Sequence, residues 1–297
     1  MIGAFKEDFL SVMSLPSRTI FRFAPSPNGL LHLGHAYSAL YTQHWARALG
    51  GVFVLRIEDI DIARCRPEFV EAVFVDLQWL GLEWSEPVRR QSEHFSDYLA
   101  AADALRSKGL LYPCFCSRAE IRAASDGRVD PDGAPIYPGT CRHLSGGERL
   151  EKLESGVPVQ WRLDMGQALE EKKEFVIREA MPDPSCAVIE RPAEPGRWGD
   201  VVIVRKDTPT SYHLSVVVDD AIQGITHVTR GMDLYDSTDI HVVLQKLMDL
   251  PSPVYTHHRL IVGADAEKLS KSKGSEGLAG LRALGIAPED IRAQFSF

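Results

Sequence analysis

Apolar and polar positions fall in blocks along the chain, and the blocks alternate in type. Thr19 to Ala24 is a short, mostly apolar run that stops at Pro25 and Pro27. A buried strand ends this way, because proline cannot donate to a sheet ladder. Asn28-Gly29 is a turn pair. From His35 to Ala48 the chain is rich in Ala, Leu, Tyr and Trp, contains no Gly or Pro, and meets Gly50-Gly51, which predicts a helix with a C-terminal stop. Val52–Ile57 reads as a second strand, followed by Glu58-Asp59-Ile60-Asp61. Pro67–Leu80 is an amphipathic helix opened by proline and closed by Gly81, and another helix is predicted from about Ser92 to Lys108. Strands alternating with helices predict βαβ units around a parallel sheet.

The texture changes at Tyr112. Residues 113–147 hold three of the five cysteines, several Pro and Gly, and Asp-Gly pairs at 126–127 and 132–133, which predicts a loop-rich inserted subdomain. Strand-like stretches resume at Val157–Leu163 and Asp200–Arg205, and an apolar segment, Leu214–Val218, precedes Asp219-Asp220. Asp233–Leu250 has a helical pattern, Tyr255–Val262 reads as a strand, and Lys268 to Ser275 is a polar, basic loop. There is no internal repeat.

Composition narrows the class. The chain has 297 residues, 44% hydrophobic and 25% charged, ordinary for a globular protein, which excludes collagen, coiled coil and disulfide-dense scaffolds. Its length predicts two domains or one large one. An apolar run of about 18 residues would be needed to span a bilayer, and none occurs. Met1 to Arg18 carries acids and lacks a continuous apolar core, so no secretory signal and a cytoplasmic location are expected. Five cysteines without an export signal predict reduced thiols or a metal site. With 33 Lys+Arg against 41 Asp+Glu the net charge is −8, which argues against a general nucleic-acid coat but allows a local basic patch.

Two constellations carry candidate chemistry. Phe23 to His35 contains His32-Leu33-Gly34-His35 between a strand and a helix. Such a junction points backbone N–H groups and a positive dipole end at its crevice, which suits phosphate, and Gly34 permits close approach. Lys268-Leu269-Ser270-Lys271-Ser272 places lysines where they could neutralise charge during phosphoryl chemistry. Alone, either is weak. Together, in this order, they resemble the two ATP-binding motifs of class I aminoacyl-tRNA synthetases on a Rossmann-like domain.

Further runs resemble the glutamyl and glutaminyl branch of that family: Arg22-Phe23-Ala24-Pro25-Ser26-Pro27, Arg56 to Asp61, Gly81-Leu82-Glu83-Trp84, Tyr212 with Val217 to Asp220, and Gly224 to Gly231. The likeness runs from about residue 19 to 275. It implies a glutamate site formed by Arg22, Phe23, Ala24, Pro25, Ser26, Glu58, Tyr212 and Arg230, and an ATP site formed by His32, Gly34, His35, Lys268, Ser270 and Lys271, with magnesium accompanying ATP. His32, His35 and Lys271 are the implied catalytic residues. Physics agrees, since guanidinium forks such as Arg22 and Arg230 bind carboxylates bidentately and Glu58 can meet an ammonium.

Cys114-Phe115-Cys116 and Cys141 supply three thiols for a tetrahedral zinc that needs four ligands. His143 is the chemically ordinary fourth, and Tyr137 is the one the resemblance implies. Cys65 and Cys186 are expected to be inert packing residues.

The resemblance also implies domains: an N-terminal extension over 1–18, catalytic halves over 19–111 and 196–275, an insertion with the zinc subdomain over 112–195, and a helical C-terminal segment over 276–297. The chain ends at Phe297, soon after Ser272, and no anticodon-binding domain is expected. Gly231-Met232-Asp233-Leu234, and the absence of Arg-Thr after the first motif, are similar to a short glutamyl-type branch. Its implied reaction passes glutamate to the queuosine base of tRNA(Asp), and a monomer is expected. Rival readings are a truncated glutamyl-tRNA synthetase charging tRNA(Glu) and a catalytically silent RNA-binding module. Leu33 and Leu269 depart from the usual Ile and Met of the two motifs. Ser237-Thr238-Asp239-Ile240-His241 departs from Ser-Thr-x-Arg-Gln, and is expected to affect packing or RNA contact but not the glutamate ligands.

Overall fold

In the computed structural model the described residues are 18–261, 277–295 and 297. The chain runs through β1 (Ile20–Phe23), α1 (Leu33–Ala48), β2 (Val52–Ile57), α2 (Pro67–Trp79), β3 (Ser85–Arg90) and α3 (Phe95–Ser107). It continues through β4 (Leu111–Cys114), α4 (Arg118–Ala123), α5 (Gly146–Glu154), β5 (Gln160–Leu163), α6 (Met165–Glu171), β6 (Val176–Glu179), β7 (Ile189–Pro192) and β8 (Val202–Val204). Then come α7 (Tyr212–Ile222), β9 (His227–Gly231), α8 (Thr238–Leu247), β10 (Val254–His258), α9 (Leu278–Ala283) and α10 (Pro288–Ala293). The predicted stop of α1 is met by Gly50 at φ 61°, a conformation that a Cβ disfavours.

The main sheet has seven strands in the order β3-β2-β1-β9-β10-β6-β7, all parallel except the edge strand β7. Chain order reverses between β1 and β9: β2 and β3 lie on one side, β10 on the other. In doubly wound α/β sheets the ligand crevice opens at this switch point, beyond the carboxyl ends of the strands. One apolar core joins Phe21, Phe53 and Leu55 to α1, α2, α9 and α10. A second joins Ile177, Val228 and Tyr255 to α3, α7 and α8. An antiparallel sheet, β4-β5-β8, packs into that second core through Leu111, Leu163 and Ile203. The fold is thus Rossmann-like α/β with a parallel sheet, as the alternating blocks predict. No helix among the described residues is long and apolar enough to cross a membrane.

Several elements differ from the sequence reading. The pattern predicts no strand at β3, where Pro87 and charged residues interrupt any apolar period, and β3 lies at the sheet edge where proline is tolerated. Residues 176–192, inside the span read as insertion, form β6 and β7 and extend the main sheet. The apolar segment at 214–218 lies within α7. The helix read over 233–250 is shorter, because Met232–Leu234 forms a 3-10 turn before α8 starts at Thr238. Residues 1–17 and 262–276, and so Lys268, Ser270 and Lys271, lie outside the described residues.

The halves of the sheet are tied at one buried charge. Arg56, at the end of β2, is fully inaccessible. Its Nη1 lies 2.8 Å from Asp220 Oδ1, its Nη2 lies 3.2 Å from Glu58 Oε1, and its Nε lies 3.8 Å from Asp219 Oδ2. Burial alone would lower the guanidinium, but Asp220, Glu58 and Asp219 outweigh it and hold it above its ordinary value. Asp219 also accepts from Arg89 of β3, Gln91 and Tyr98 of α3. Removing one partner of a buried pair strands the other charge. Arg56→Met should therefore lower the unfolding free energy by about 3–5 kcal/mol in chemical denaturation. A loss below about 1 kcal/mol would mean that Arg89 and Arg22 suffice to balance the two aspartates.

Candidate active site

A cavity of about 990 Å³ opens at the switch point. The end of β1 contributes Arg22 to Ser26, the end of β2 Glu58, the start of α7 Tyr212, and the end of β9 Arg230. His32, Gly34 and His35 at the start of α1 line the same space. All eight residues read as glutamate ligands, and these three of the ATP set, therefore meet in one cavity. Ile261 and Gly277, which flank the segment carrying Lys271, line it too.

The α1 end is built by its histidines. His32 is the N-cap: its Nδ1 accepts from Gly34 N at 3.1 Å, while His35 Nδ1 accepts from His32 N at 3.1 Å. The rings lie against each other, centroids 3.8 Å apart. With both Nδ1 atoms acting as acceptors, each neutral ring carries its proton on Nε2. A Cβ on Gly34 would sit 3.0 Å from His32 Cε1, so glycine is what lets the ring fold over the helix start. No acidic residue occupies the first turn, which leaves the helix dipole unopposed for an anion.

The two arginines differ in their state. Arg22 Nε donates to Asp220 Oδ1 at 3.2 Å and its Nη1 to Thr229 O at 3.4 Å, so a carboxylate balances its charge. Glu58 is held by Arg56, and burial pushes its carboxyl up against the pull of Arg56 and Arg22. Arg230 is only 4% exposed, yet none of its partners is anionic. Its Nε donates to His257 Nε2 at 3.1 Å, its Nη1 to His241 Nδ1 at 3.1 Å, and its Nη2 to Thr238 Oγ1 at 2.6 Å. The Tyr255 ring lies under it, 5.2 Å from Cζ to centroid. No carboxylate pairs with Arg230 among the described residues.

The thiols form a second centre on the antiparallel sheet. Cys114, Cys116 and Cys141 place their sulfurs within 4.8 Å of one another, and none is in a disulfide. Cys116 Sγ is 3.5 Å from Cys141 Sγ and 3.5 Å from Tyr137 Oη, which also accepts from Cys141 N at 2.8 Å. Burial pushes the Cys114 thiol up, but hydrogen bonds from Gln160, Tyr137 and Arg162 outweigh it and bring it down to about 7. Burial pushes Cys116 up to about 11. Three converging thiols and a hydroxyl are a donor set a soft tetrahedral cation fits. His143 is exposed and stands outside the cluster. Cys65 and Cys186 lie apart and half exposed, not packed into the core as the sequence suggested.

Comparison with known proteins agrees with this geometry. The family described as tRNA synthetases class I (E and Q), catalytic domain, matches residues 19–292. The chain belongs to that family. It is 44% identical to the glutamyl-Q tRNA(Asp) synthetase of Rhodobacter capsulatus, covering 92% of this chain and 98% of the relative. It is 40% identical to the protein of the same name from Symbiobacterium thermophilum, over 93% of this chain and 85% of that one. The crystal structure of a glutamate tRNA ligase from Elizabethkingia meningosepticum in complex with its amino acid superposes with a TM-score of 0.69 at 29% identity. That alignment covers 87% of this chain and 53% of the ligase, so the synthetase spans about half the ligase's length.

One expectation about the synthetase is overturned. The Ser237–His241 departure is expected to leave the glutamate ligands untouched, yet His241 hydrogen-bonds Arg230 directly. Sequence reading also missed His213 and His257. Its available signal was the Ser237–His241 departure, and the facing strand's His257-His258 pair gave no motif at all. Burial, with Arg230 adding repulsion, lowers His213 to about 4 and His257 to about 2, and lowers His241 as well. In the unfolded chain these rings return to about 6.5, so the unfolded state binds more protons. Their contribution to stability is full above about pH 6.5 and is lost as pH falls toward the folded values. Urea midpoints should therefore decline from about pH 7 to about pH 5, before ordinary carboxylates titrate, and a His213→Asn/His257→Asn double variant should show a shallower decline. Equal slopes would mean the rings are not held neutral.

Proposed function

We propose that the synthetase activates L-glutamate with ATP to glutamyl-adenylate and then transfers the glutamyl group to the queuosine base in the anticodon of tRNA(Asp). Arg230 carries the first half. A buried guanidinium without an anion is costly, and a ligand carboxylate relieves that cost. A guanidinium has five N–H groups, and three are taken by neutral acceptors, leaving two for a carboxylate fork. Glu58, oriented by Arg56 and raised by burial, suits the substrate ammonium, which would draw it back to the ionised form.

In the first step a glutamate α-carboxylate oxygen attacks the α-phosphorus and the bond to the β-phosphate oxygen breaks, releasing pyrophosphate. His32 and His35 would meet phosphate oxygens with their Nε2–H groups. Lys271 would offset charge at the α-phosphate; the flanking Ile261 and Gly277 at the cavity support its acting there. ATP enters as its magnesium complex, which neutralises phosphate charge. In the second step a queuosine hydroxyl attacks the adenylate carbonyl and AMP leaves. Positioning and electrostatics carry the rate. The acceptor rests on the likeness to the Rhodobacter capsulatus protein across nearly all of that protein's length.

Glutamate-dependent ATP–pyrophosphate exchange without tRNA should be present, and Arg230→Met should lower kcat/KM for glutamate by at least about thirtyfold. Labelled glutamate should pass to tRNA(Asp) carrying queuosine and not to the same tRNA lacking it. Transfer to tRNA(Glu) instead would make the protein a truncated glutamyl-tRNA synthetase, and absence of exchange would favour the silent RNA-binding module.

The proposed metal is one structural zinc held by Cys114, Cys116, Cys141 and the Tyr137 hydroxyl. It would order an insertion whose own apolar cluster is small. Purified protein should contain about one zinc per chain. Cys114→Ser should lose the metal and melt lower, whereas equal, near-zero metal in both would remove the site.

A further inference from the structure

Arg230 sits in a cage whose hydrogen bonds can be assigned direction. A guanidinium only donates, so His241 Nδ1 and His257 Nε2 must both be acceptors. A neutral His241 then carries its proton on Nε2, which lies 3.3 Å from His213 Nδ1 and donates to it. Thr238 Oγ1 accepts from Arg230 Nη2 and donates its own hydrogen bond to Tyr235 O at 2.6 Å. His257 is left with Nδ1–H, and that atom is buried without a partner. A fold that leaves this N–H orphaned is orienting the ring for Arg230 rather than for itself. Every group of the cage is uncharged, so none of them competes with an incoming anion for the guanidinium's charge.

We propose that His241 is a positioning residue for substrate recognition: anchored through Nε2–H on His213, it holds one N–H of Arg230 Nη1 and so leaves the guanidinium's two remaining N–H groups for the substrate carboxylate. Without that acceptor the guanidinium is held only along its Nε–Nη2 edge by His257 and Thr238, and Nη1 is free to shift the fork from the position the substrate carboxylate needs. Because His241 is neutral, it fixes Arg230 without satisfying its charge, so the fork would favour glutamate, whose side-chain carboxylate it would take, over glutamine, whose side chain is uncharged. This inference rests on the reading of Arg230 as the carboxylate partner, and the experiment separates the two.

The measurement is ATP–pyrophosphate exchange on the full chain, with glutamate and ATP varied in turn, for wild type, His241→Leu and His241→Asn. Asparagine can present Oδ1 where the ring presents Nδ1, and leucine presents no acceptor. His241→Leu should raise the glutamate KM about tenfold or more while the ATP KM stays within about twofold, the loss expected for one hydrogen bond to a charged group. His241→Asn should recover most of that loss, and the preference for glutamate over glutamine should fall in the leucine variant only. The inference is overturned if the leucine variant keeps its glutamate KM, if both KM values rise together, or if asparagine is as damaging as leucine. Should His241→Leu fail to fold, His213→Leu, which removes only the anchor at a half-buried position, should raise the glutamate KM in the same direction, and an unchanged KM there is equally fatal. Wild-type protein that exchanges with a different amino acid and not with glutamate would overturn the reading of Arg230 itself, an outcome distinct from a normal wild type with indifferent variants.

Discussion

The architecture of the site depends on Arg56 and the aspartate pair of α7. Neither strand end nor helix could place its charges alone. β2 brings the guanidinium, α7 brings Asp219 and Asp220, and the pairing fixes the distance between the near side of the sheet and the helix behind it. Three consequences follow from the same contacts. Glu58 is oriented two residues beyond Arg56, Arg22 finds its counter-charge on Asp220, and β3 is drawn to the edge through Arg89 and Asp219. Buried pairs of this kind contribute little net stability over apolar packing, but they make alternative arrangements expensive. The network sets geometry more than it sets the depth of the folded well.

Against that balanced network, the environment of Arg230 is asymmetric. Arg22, Arg56, Arg89 and Arg90 each have a carboxylate within ion-pair distance. Arg230 has histidines, a threonine and an aromatic face. Arg230 therefore differs from the cations of that network in having no carboxylate partner among the described residues, a state it shares with the buried Arg162 of β5. Arg22 and Arg56 are as buried as Arg230, so accessibility alone would not separate them; the charge of the neighbours does. The thiol centre lies away from the active cavity, its three sulfurs gathered within 4.8 Å of one another in the small apolar cluster with Tyr112 and Tyr137.

Much of this was legible in the sequence because the residues that line the cavity sit at strand ends, where periodic runs stop and motif residues begin. Ala24 to Ser26 and Glu58 follow strands whose apolar pattern is plain, whereas Arg230 lies within β9, which the pattern does not predict and only the family resemblance points to. What was not legible has physical causes. β3 is exposed, polar and contains Pro87, so it is recruited by its neighbour and by the Arg89–Asp219 pair rather than by its own pattern. β6 and β7 lie in a stretch whose composition matches the insertion, and only the pairing of β6 with β10, and of β7 with β6, reveals their allegiance. His241 is on a helix and His257 on a strand, and their meeting at Arg230 is a tertiary fact with no spacing to announce it. Arg22 and Arg230 look alike in sequence and differ only in what folds against them.

The histidine cap at the start of α1 has a consequence for how the synthetase would meet a nucleotide. Side chains that order only when a ligand arrives each cost about 0.5–1.5 kcal/mol of binding free energy in lost rotamers. His32 and His35 are already immobilised, each by a backbone N–H of the helix they begin and by the other's ring. Their entropy is surrendered when the chain folds, not when the phosphate binds. Helix initiation and the nucleotide affinity proposed for this end would thereby be coupled: a substitution that frees either ring would loosen the first turn of α1 and the proposed phosphate cradle in the same stroke.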